Sequence, residues 1–569
     1  MSSTRGIYGL SGSGIDVDSM VKVGMMTRQN EYDKMYKKEV KNEWIKTAYT
    51  DLYSDLQTFS SSTMYDYKLS SKTDAMLAES ADTAVATATA NADASSMTHT
   101  VNVTSTASSA YLLSTGKITR ANSSSSSSSV YLKDIVGTAT TATYSDADKN
   151  KVALAFTLSN GAKDDSNTTT KTITFTYADI YENNETLNDL VSKINATDMS
   201  IHASYDSDND AFSLNQQNTG EANQINLSVA AVGTTDGTEI SQSAANLGAV
   251  LINNLSLGAV TQSTDKTTGK TTSTLGSALS FTSTTDSAKN TTYSGTISTK
   301  GSNATVVIDG KPYNTASNKV TVGGVTYTTK DVGTTTVAVS QDTDTIVSNV
   351  KQFVEDYNKM LDKLNDLYYE DTYSDYDVLT KSQESAMTTD EVTKWNEKAK
   401  SGLLNHSQIV GDLRSALREA IYTPVDSVDS SYNSMMAIGI ESKTDQGHLT
   451  LDEDKLKKAL AADPDCVYQL FASSGDDAKG NTVYSNEGVV NRITDAVRDG
   501  MSDITDYAGT SSTSDDDSTL GDLIRNLKTQ MSSFKTMMDA YEDALYDKYD
   551  AMESAIQSLS STYNYISGS

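Results

Sequence analysis

Apolar residues recur at helical spacing towards both ends of the chain and at strand spacing between them. A helical pattern begins at Ile15, where Asp16 or Asp18 can supply the N-cap. It continues through Ile45, Ala48, Leu52, Leu56 and Phe59, whose steps of +3, +4, +4 and +3 put them on one face of a helix reaching about Lys68. The longest stripe lies near the other end, at Phe534, Met538, Tyr541, Leu545, Tyr549, Met552, Ile556, Leu559, Tyr563 and Ile566. From Tyr549 its steps alternate 3 and 4, and the +4, +4 step across Leu545 reads as a stutter in a heptad pattern. Shorter helical faces are Val350, Phe353, Val354, Tyr357, Leu361 and Leu364, then Leu413, Leu417 and Ile421. Asp452 is placed to cap a helix over 453–462, and Asp463-Pro464 to start the next one.

The middle of the chain alternates. Strands are predicted at Thr98–Thr104, Val152–Leu158 and Thr172–Tyr177. Thr186–Ile194 (TLNDLVSKI) reads as a short helix, followed by a strand from Ser200, a turn at Asp206–Asp210 and a strand at Ala211–Leu214. Asn303–Lys330 returns to strands with turns at Gly310 and Gly323-Gly324. Ser123–Ser129 and the Thr/Ser/Lys-rich Thr261–Thr274 read as loops, and residues 1–14, with Gly9, Gly12 and Gly14, as flexible. A striped helix buries its stripe only against a partner, so the two ends are expected to meet in one helical bundle from which the β-rich middle is an excursion.

Composition narrows the function classes. The chain has 569 residues, a formal charge of −30, 37% hydrophobic residues and a single cysteine. At roughly 150 residues per domain this suggests about four small domains rather than one large core. The acidity argues against a nucleic-acid partner, because phosphate contacts need a basic patch. One cysteine leaves no internal disulfide and no thiolate zinc cluster. No apolar run approaches the ~18 residues of a membrane span. No cleaved secretory signal is expected at the polar, Gly-rich opening.

Candidate chemistry is thin. Gly12-Ser13-Gly14 lacks the strand and third glycine of a dinucleotide fingerprint, and Gly269-Lys270-Thr271 lacks the leading glycine of a phosphate loop. Asp206, Asp208 and Asp210 have calcium-loop spacing, but Ala211 and Gln217 stand where that loop needs Gly and Glu. A hairpin turn is the better reading, and Asp515–Asp517 reads as a solvated loop. His99, His202, His406 and His448 are scattered, and Cys466 beside Val467, Leu470 and Phe471 reads as a buried thiol. No motif singles out a carboxylate pair for hydrolysis. No catalytic residue, metal or cofactor is therefore expected, and the chain is read as a non-enzyme.

Four stretches together resemble the flagellar filament cap family, hook-associated protein 2 (FliD). They are Leu10–Asp18 (LSGSGIDVD); Thr186–Ala203 with Asn218–Asn226 (NTGEANQIN); Asn303–Tyr327 with Asp342–Asn358 (DTDTIVSNVKQFVEDYN); and Ile438–Phe471 (IGIESKTDQGHLTLDEDKLKKALAADPDCVYQLF). The last two are specific, since several residue types must coincide in order. Residues 105–150 and 228–300 match little, and Tyr368–Leu404 is similar to an expansion found in some members. The resemblance implies a multidomain α+β fold: helical coiled-coil termini paired together, a helix-bundle body and two inserted β-rich domains. The expected division is 1–45 with 535–569 for the terminal pair and 46–96 with 340–534 for the body. A β-rich domain is expected over 97–150 with 235–339, and a second over 151–234. It implies an extracellular protein at the flagellum tip, exported without a cleaved signal, that forms a homo-oligomeric ring and promotes flagellin insertion. Implied partners are further copies, flagellin, hook-associated axial proteins and an export chaperone. The contact stripe is expected at Ile45, Leu52, Leu56, Phe59, Tyr549, Met552, Ile556, Leu559, Tyr563 and Ile566. A secreted adhesin touching a host surface or mucin, and another flagellar axial protein, stay open as alternatives.

Overall fold

The structure, a computed structural model, describes residues 16–122, 129–137, 146–161, 168–235, 237–265, 271–442, 446–476, 480–510 and 516–567. The Gly-rich opening, the serines at 123–128, Gly269, Lys270 and Asp515 lie outside the described residues. The chain forms two compact units: residues 1–75 with 342–569, and Met76–Gln341.

The first unit is helical. Its first helix, Val17–Thr58, starts where the Asp16 carboxylate accepts from the Ser19 amide at 3.0 Å, so Asp16 rather than Asp18 is the cap. It runs without a break into a π-helical turn, Phe59–Met64. Tyr49, Leu52, Leu56 and Phe59 enter a single core with Val350, Phe353, Tyr357 and Leu361 of the helix Thr343–Tyr369. Helices Gln408–Tyr422, Glu453–Ala462, Cys466–Ala472 and Val489–Ala508 complete that core. Asp452 caps its helix through the Lys455 amide at 3.0 Å. The Asp463-Pro464 start is a turn preceding the helix at Cys466, with the Asp465 amide donating to the Asp463 carboxylate at 3.2 Å. The fully buried Arg492 donates to four backbone carbonyls, those of Thr423, Pro424, Tyr484 and Ser485, at 2.5–3.0 Å. A buried cation needs such partners, and here the main chain supplies them while the guanidinium ties the Thr423-Pro424 segment and the strand Thr482–Glu487 to the Val489–Ala508 helix.

The second unit is β-rich and holds two main cores. One lies between a five-stranded antiparallel sheet, in the order Met76–Ser80, Gly333–Gln341, Thr98–Ser105, Ala304–Ile308, Lys311–Thr315, and a three-stranded sheet of Lys319–Val322, Val325–Thr329 and Ala86–Ala90. The other holds a five-stranded sheet, in the order Thr271–Ala278, Leu257–Thr264, Ser109–Ser114, Ala211–Thr219, Ile201–Asp206. A four-stranded sheet of Thr296–Lys300, Gln224–Val229, Val152–Ser159 and Thr170–Thr176 shares that core with helices Leu187–Asn195 and Gln242–Asn254. Thr186 and Asp189 form a reciprocal capping box at the first of these helices.

The domain divisions differ from the expected ones. Residues 76–96 are expected in the helical body, but Met76–Ser80 pairs with Gly333–Gln341 and belongs to the β-rich unit. The expected split at 150/151 and 234/235 crosses a single core, since Val152–Ser159 and Leu257–Thr264 both line it. The chain instead passes between the two β cores at Ser108 and Ser302, which exchange backbone hydrogen bonds at 3.0 Å. Gly301 is required there, because a Cβ would meet the Ser108 carbonyl oxygen at 2.3 Å. Strand partners in this unit lie up to 265 residues apart in sequence, as Met76 and Gln341 do, and local pattern does not encode such pairings. Thr261–Thr274, read as a loop, is largely an antiparallel hairpin with Thr264 opposite Thr271. Its Thr and Ser residues hide the alternation because neither face is covered.

A Cβ at Gly248 would fall 1.9 Å from the Ala155 carbonyl oxygen, where the Gln242–Asn254 helix crosses its sheet, whereas a Cβ at Gly116 meets nothing within 4 Å. Gly248→Ala is therefore expected to destabilise the β-rich unit by about 2 kcal/mol or more. Gly116→Ala is expected to stay within about 0.5 kcal/mol. Denaturant titration of both variants checks the difference.

Candidate assembly surface at the paired terminal helices

The last helix, Thr519–Ser567, lies antiparallel to the first. Its start is fixed by a polar knot. Ser518 accepts from the Gly521 amide at 3.1 Å and donates to Asp516 at 2.6 Å, and Lys46 of the first helix donates to Asp516. Gly521 is needed, since a Cβ would press on the Asp516 carboxylate at 2.3 Å. Two turns further along, Lys528 donates to Glu43 at 2.6 Å and pairs with the buried Glu39 at 3.3 Å. Towards the other end the contact turns apolar. Arg28 stacks on the Tyr541 ring at 4.1 Å, and Leu545 packs over Gly24 against Val17 and Val21. The Tyr546 hydroxyl closes the row by donating to Asp18 at 3.0 Å. The stutter residue Leu545 is thus buried in this distal contact, and Met538, two turns earlier in the stripe, is buried as well.

The ten stripe residues meet two fates. Leu52, Leu56 and Phe59 are buried inside the body of their own chain, and Ile45 packs against the same core, so these four are already occupied within the molecule. Tyr549 packs beside Leu545, and Met552 and Ile556 are half-buried. Leu559, Tyr563 and Ile566 are exposed to 69%, 69% and 67%. The helix runs from Asp550 to Ser567, about 27 Å, beyond the level at which Val17 meets Leu545.

Sequence reasoning missed Val17, Val21 and Gly24 as the facing surface, because the stripe it followed begins at Ile45. It also read Asp516 as solvated. The available signal was Ser518 directly before the periodic run, a favoured N-cap residue.

The other described candidates are engaged in local packing and hydrogen bonds or lie on the surface. Asp210 is held bidentately by Arg120 at 2.7 and 2.9 Å and accepts from Tyr205 at 2.9 Å, so the Asp206–Asp210 segment is a braced hairpin turn. Burial and the Asp210 bond push the Tyr205 hydroxyl up to about 12. His99 pairs with Asp309 at 2.7 Å in the β-rich unit, His202 lies on an exposed strand position, His406 packs edge-on to Tyr368, and His448 bonds Asp362. Cys466 is buried in the helical core, which pushes its thiol up to about 12. Among the described residues no three His, Cys, Asp or Glu side chains converge as metal ligands, and no helix is long and apolar enough to cross a membrane.

Comparison with known proteins matches residues 13–110 to the family model "Flagellar hook-associated protein 2 N-terminus" and residues 301–561 to "Flagellar hook-associated protein 2 C-terminus". The stretches Thr186–Ala203 and Asn218–Asn226 fall between the two. A flagellar hook-associated protein 2 from Halalkalibacterium halodurans is 31% identical over 264 residues, 43% of this chain and 49% of the relative. One from Thermotoga maritima is 29% identical over 44% of this chain and 38% of its own, and one from Salmonella typhimurium 24% identical over 42% and 48%. The matched part thus spans about half or less of these curated relatives. The crystal structure of the flagellar cap protein FliD D1-D2-D3 domains from Escherichia coli aligns over 84% of this chain and 99% of its own, at 18% identity and a TM-score of 0.45.

Burial of Asp516 works against its charge, but the Lys46 ammonium and the Ser518 hydroxyl and amide outweigh it, holding the carboxyl below its usual value of 3.8. A carboxylate depressed by folding contributes stability that is complete above its unfolded pKa and is lost as pH falls through the folded one. Helix pairing should therefore weaken as pH falls below about 4, and Asp516→Asn should reduce that acid-side slope, leaving the share of Glu43, which Lys528 also holds low, while lowering stability at neutral pH. Circular dichroism melts between pH 2.5 and 7 test both.

Proposed function

We propose that this chain, which belongs to the flagellar hook-associated protein 2 family, is a structural protein. It caps the distal end of a flagellar filament as a ring of copies and promotes insertion of flagellin beneath it. The observation that carries the reading is the last helix. Its 3–4 stripe outruns the pairing with the first helix and presents Leu559 and Tyr563 to solvent on a rigid rod. Burying each such side chain is worth about 1.5–3 kcal/mol, enough in a ring of copies to hold an assembly that no single contact could.

Contact with neighbouring copies and axial subunits then falls on Met552, Ile556, Leu559 and Tyr563. Leu52, Leu56 and Phe59 act indirectly, by anchoring the first helix to the body. Before assembly an export chaperone covers the exposed stripe, and the chain leaves the cell through the flagellar export apparatus. A single cysteine suits that route, since a disulfide would oppose passage as an unfolded chain.

Deleting residues 550–567 is expected to leave both units folded, abolish filament growth and release flagellin monomers into the medium. Normal filaments without free monomer in the deletion strain would sink the capping role. Leu559→Asp with Tyr563→Asp should reproduce the loss without shortening the chain.

A further inference from the structure

Several lysines of the helical unit are held by carboxylates, as Lys457 is by Asp344 at 2.9 Å, Lys455 by Glu441 at 3.4 Å and Lys528 by Glu43 at 2.6 Å. Lys68 is not. It is half-buried, its ammonium donates to the Thr494 hydroxyl at 2.8 Å, and no carboxylate of the described residues comes within 4 Å of it. Burial pushes its pKa below the usual lysine value, against the pull of Asp495 and Glu487, and the Arg498 guanidinium lowers it further. Thr494 donates its own proton to the Asn491 carbonyl at 2.8 Å. It therefore accepts from the amine and leaves the lone pair of the neutral form free.

Lys68 lines a cavity of about 500 Å³ between the first helix and the Val489–Ala508 helix, within the roughly 300–1,000 Å³ of small-ligand sites. Tyr53 and Met501 give it apolar wall, and Ser60 and Ser502 bring hydroxyls. Ser60 belongs to the π-helical turn Phe59–Met64, an arrangement that recurs at functional sites. Arg498 lines the same cavity. Its guanidinium donates to Asp495 at 2.6 Å and to Asp499 at 3.3 Å, which leaves two of its N–H groups free.

We propose that Lys68 is an acyl acceptor, taking its acyl group from a small acyl phosphate bound in this cavity. The ligand class follows from the walls. A phosphate dianion suits the free N–H groups of Arg498 and the hydroxyls of Ser60 and Ser502, and Lys68 supplies the nucleophile beside them. In the step, the neutral amine nitrogen bonds to the acyl carbon, the bond from that carbon to the phosphate oxygen breaks, and inorganic phosphate leaves with the electron pair. The proton shed by nitrogen passes to solvent or to Asp495, whose carboxylate lines the same cavity. The product is an uncharged amide, and no oxidant or reductant takes part. The proposal stands independently of the capping role.

The test incubates the full chain with acetyl phosphate and follows acetylation of each lysine by peptide mass spectrometry as pH is raised from neutral. The controls are Lys151 and Lys457, whose pKa values Asp148 at 2.7 Å and Asp344 at 2.9 Å hold up. Lys68 is expected to react about tenfold faster than either at neutral pH, and its rate should level off at a lower pH than theirs. Arg498→Gln should slow Lys68 about tenfold with acetyl phosphate. The same variant should keep its circular dichroism and lose far less rate with the uncharged N-hydroxysuccinimidyl acetate. A Lys68 rate at or below that of both controls overturns the proposal. So does an Arg498→Gln chain whose Lys68 takes the acetyl group from acetyl phosphate as fast as the parent.

Discussion

The helical unit depends on one constraint, that the described chain begins and ends in the same antiparallel helix pair. Lys46 meets Asp516, Glu43 meets Lys528, Arg28 meets Tyr541 and Gly24 meets Leu545, so the two helices are pinned at four successive levels. The first helix is unbroken across those levels and then buries Leu52 and Leu56 in the body. A helix with one end seated in a packed core transmits orientation along its length, so the outer part of the pair is a rigid extension of the body rather than a tethered arm. Closing a chain over several hundred residues costs loop entropy that grows only slowly with length, which lets a large β-rich excursion be inserted without unseating the pair.

The body is braced by cations more than by carboxylate pairs. Arg492 satisfies its donors on four carbonyls. The segment between Tyr369 and Leu404 lies along the first helix, with Lys381 over Tyr36 at 5.4 Å, Lys400 over Trp44 at 5.1 Å and Asp377 paired to Lys37 at 3.1 Å. Val378 and Leu379 of this segment are buried. In a strongly acidic chain this placement keeps scarce positive charge where it locks helices together, and leaves the surplus carboxylates to the solvent.

Elements whose partners are near in sequence were legible. The start of the first helix, narrowed to Asp16 or Asp18, the Thr186–Ile194 helix with its following hairpin, and the Asp452 start all follow from residues three or four apart. What was not legible depends on distant partners. The crossing at Ser108 and Ser302 places the boundary between β cores where neither neighbourhood changes composition. The Thr261–Thr274 hairpin lacks alternation because no core selects one face. Family resemblance supplied the pairing of the ends, which periodicity suggested, but not the facing residues Val17, Val21 and Gly24.

The stripes carry the same point further. Ile45 to Phe59 and Tyr549 to Ile566 have the same 3–4 spacing and similar residues, yet one group is core and the other grades from packed to exposed. Periodicity states that a face must leave water; it does not state against what. The answer is set by which helices of the same chain lie opposite. The first helix has the Thr343–Tyr369 and Val489–Ala508 helices at its body end. Past Tyr549 the described part of the first helix has already reached its cap at Asp16. Past that level the stripe keeps its apolar pattern with no described residue of the first helix opposite it, and it is there that we propose the contact with neighbouring subunits falls.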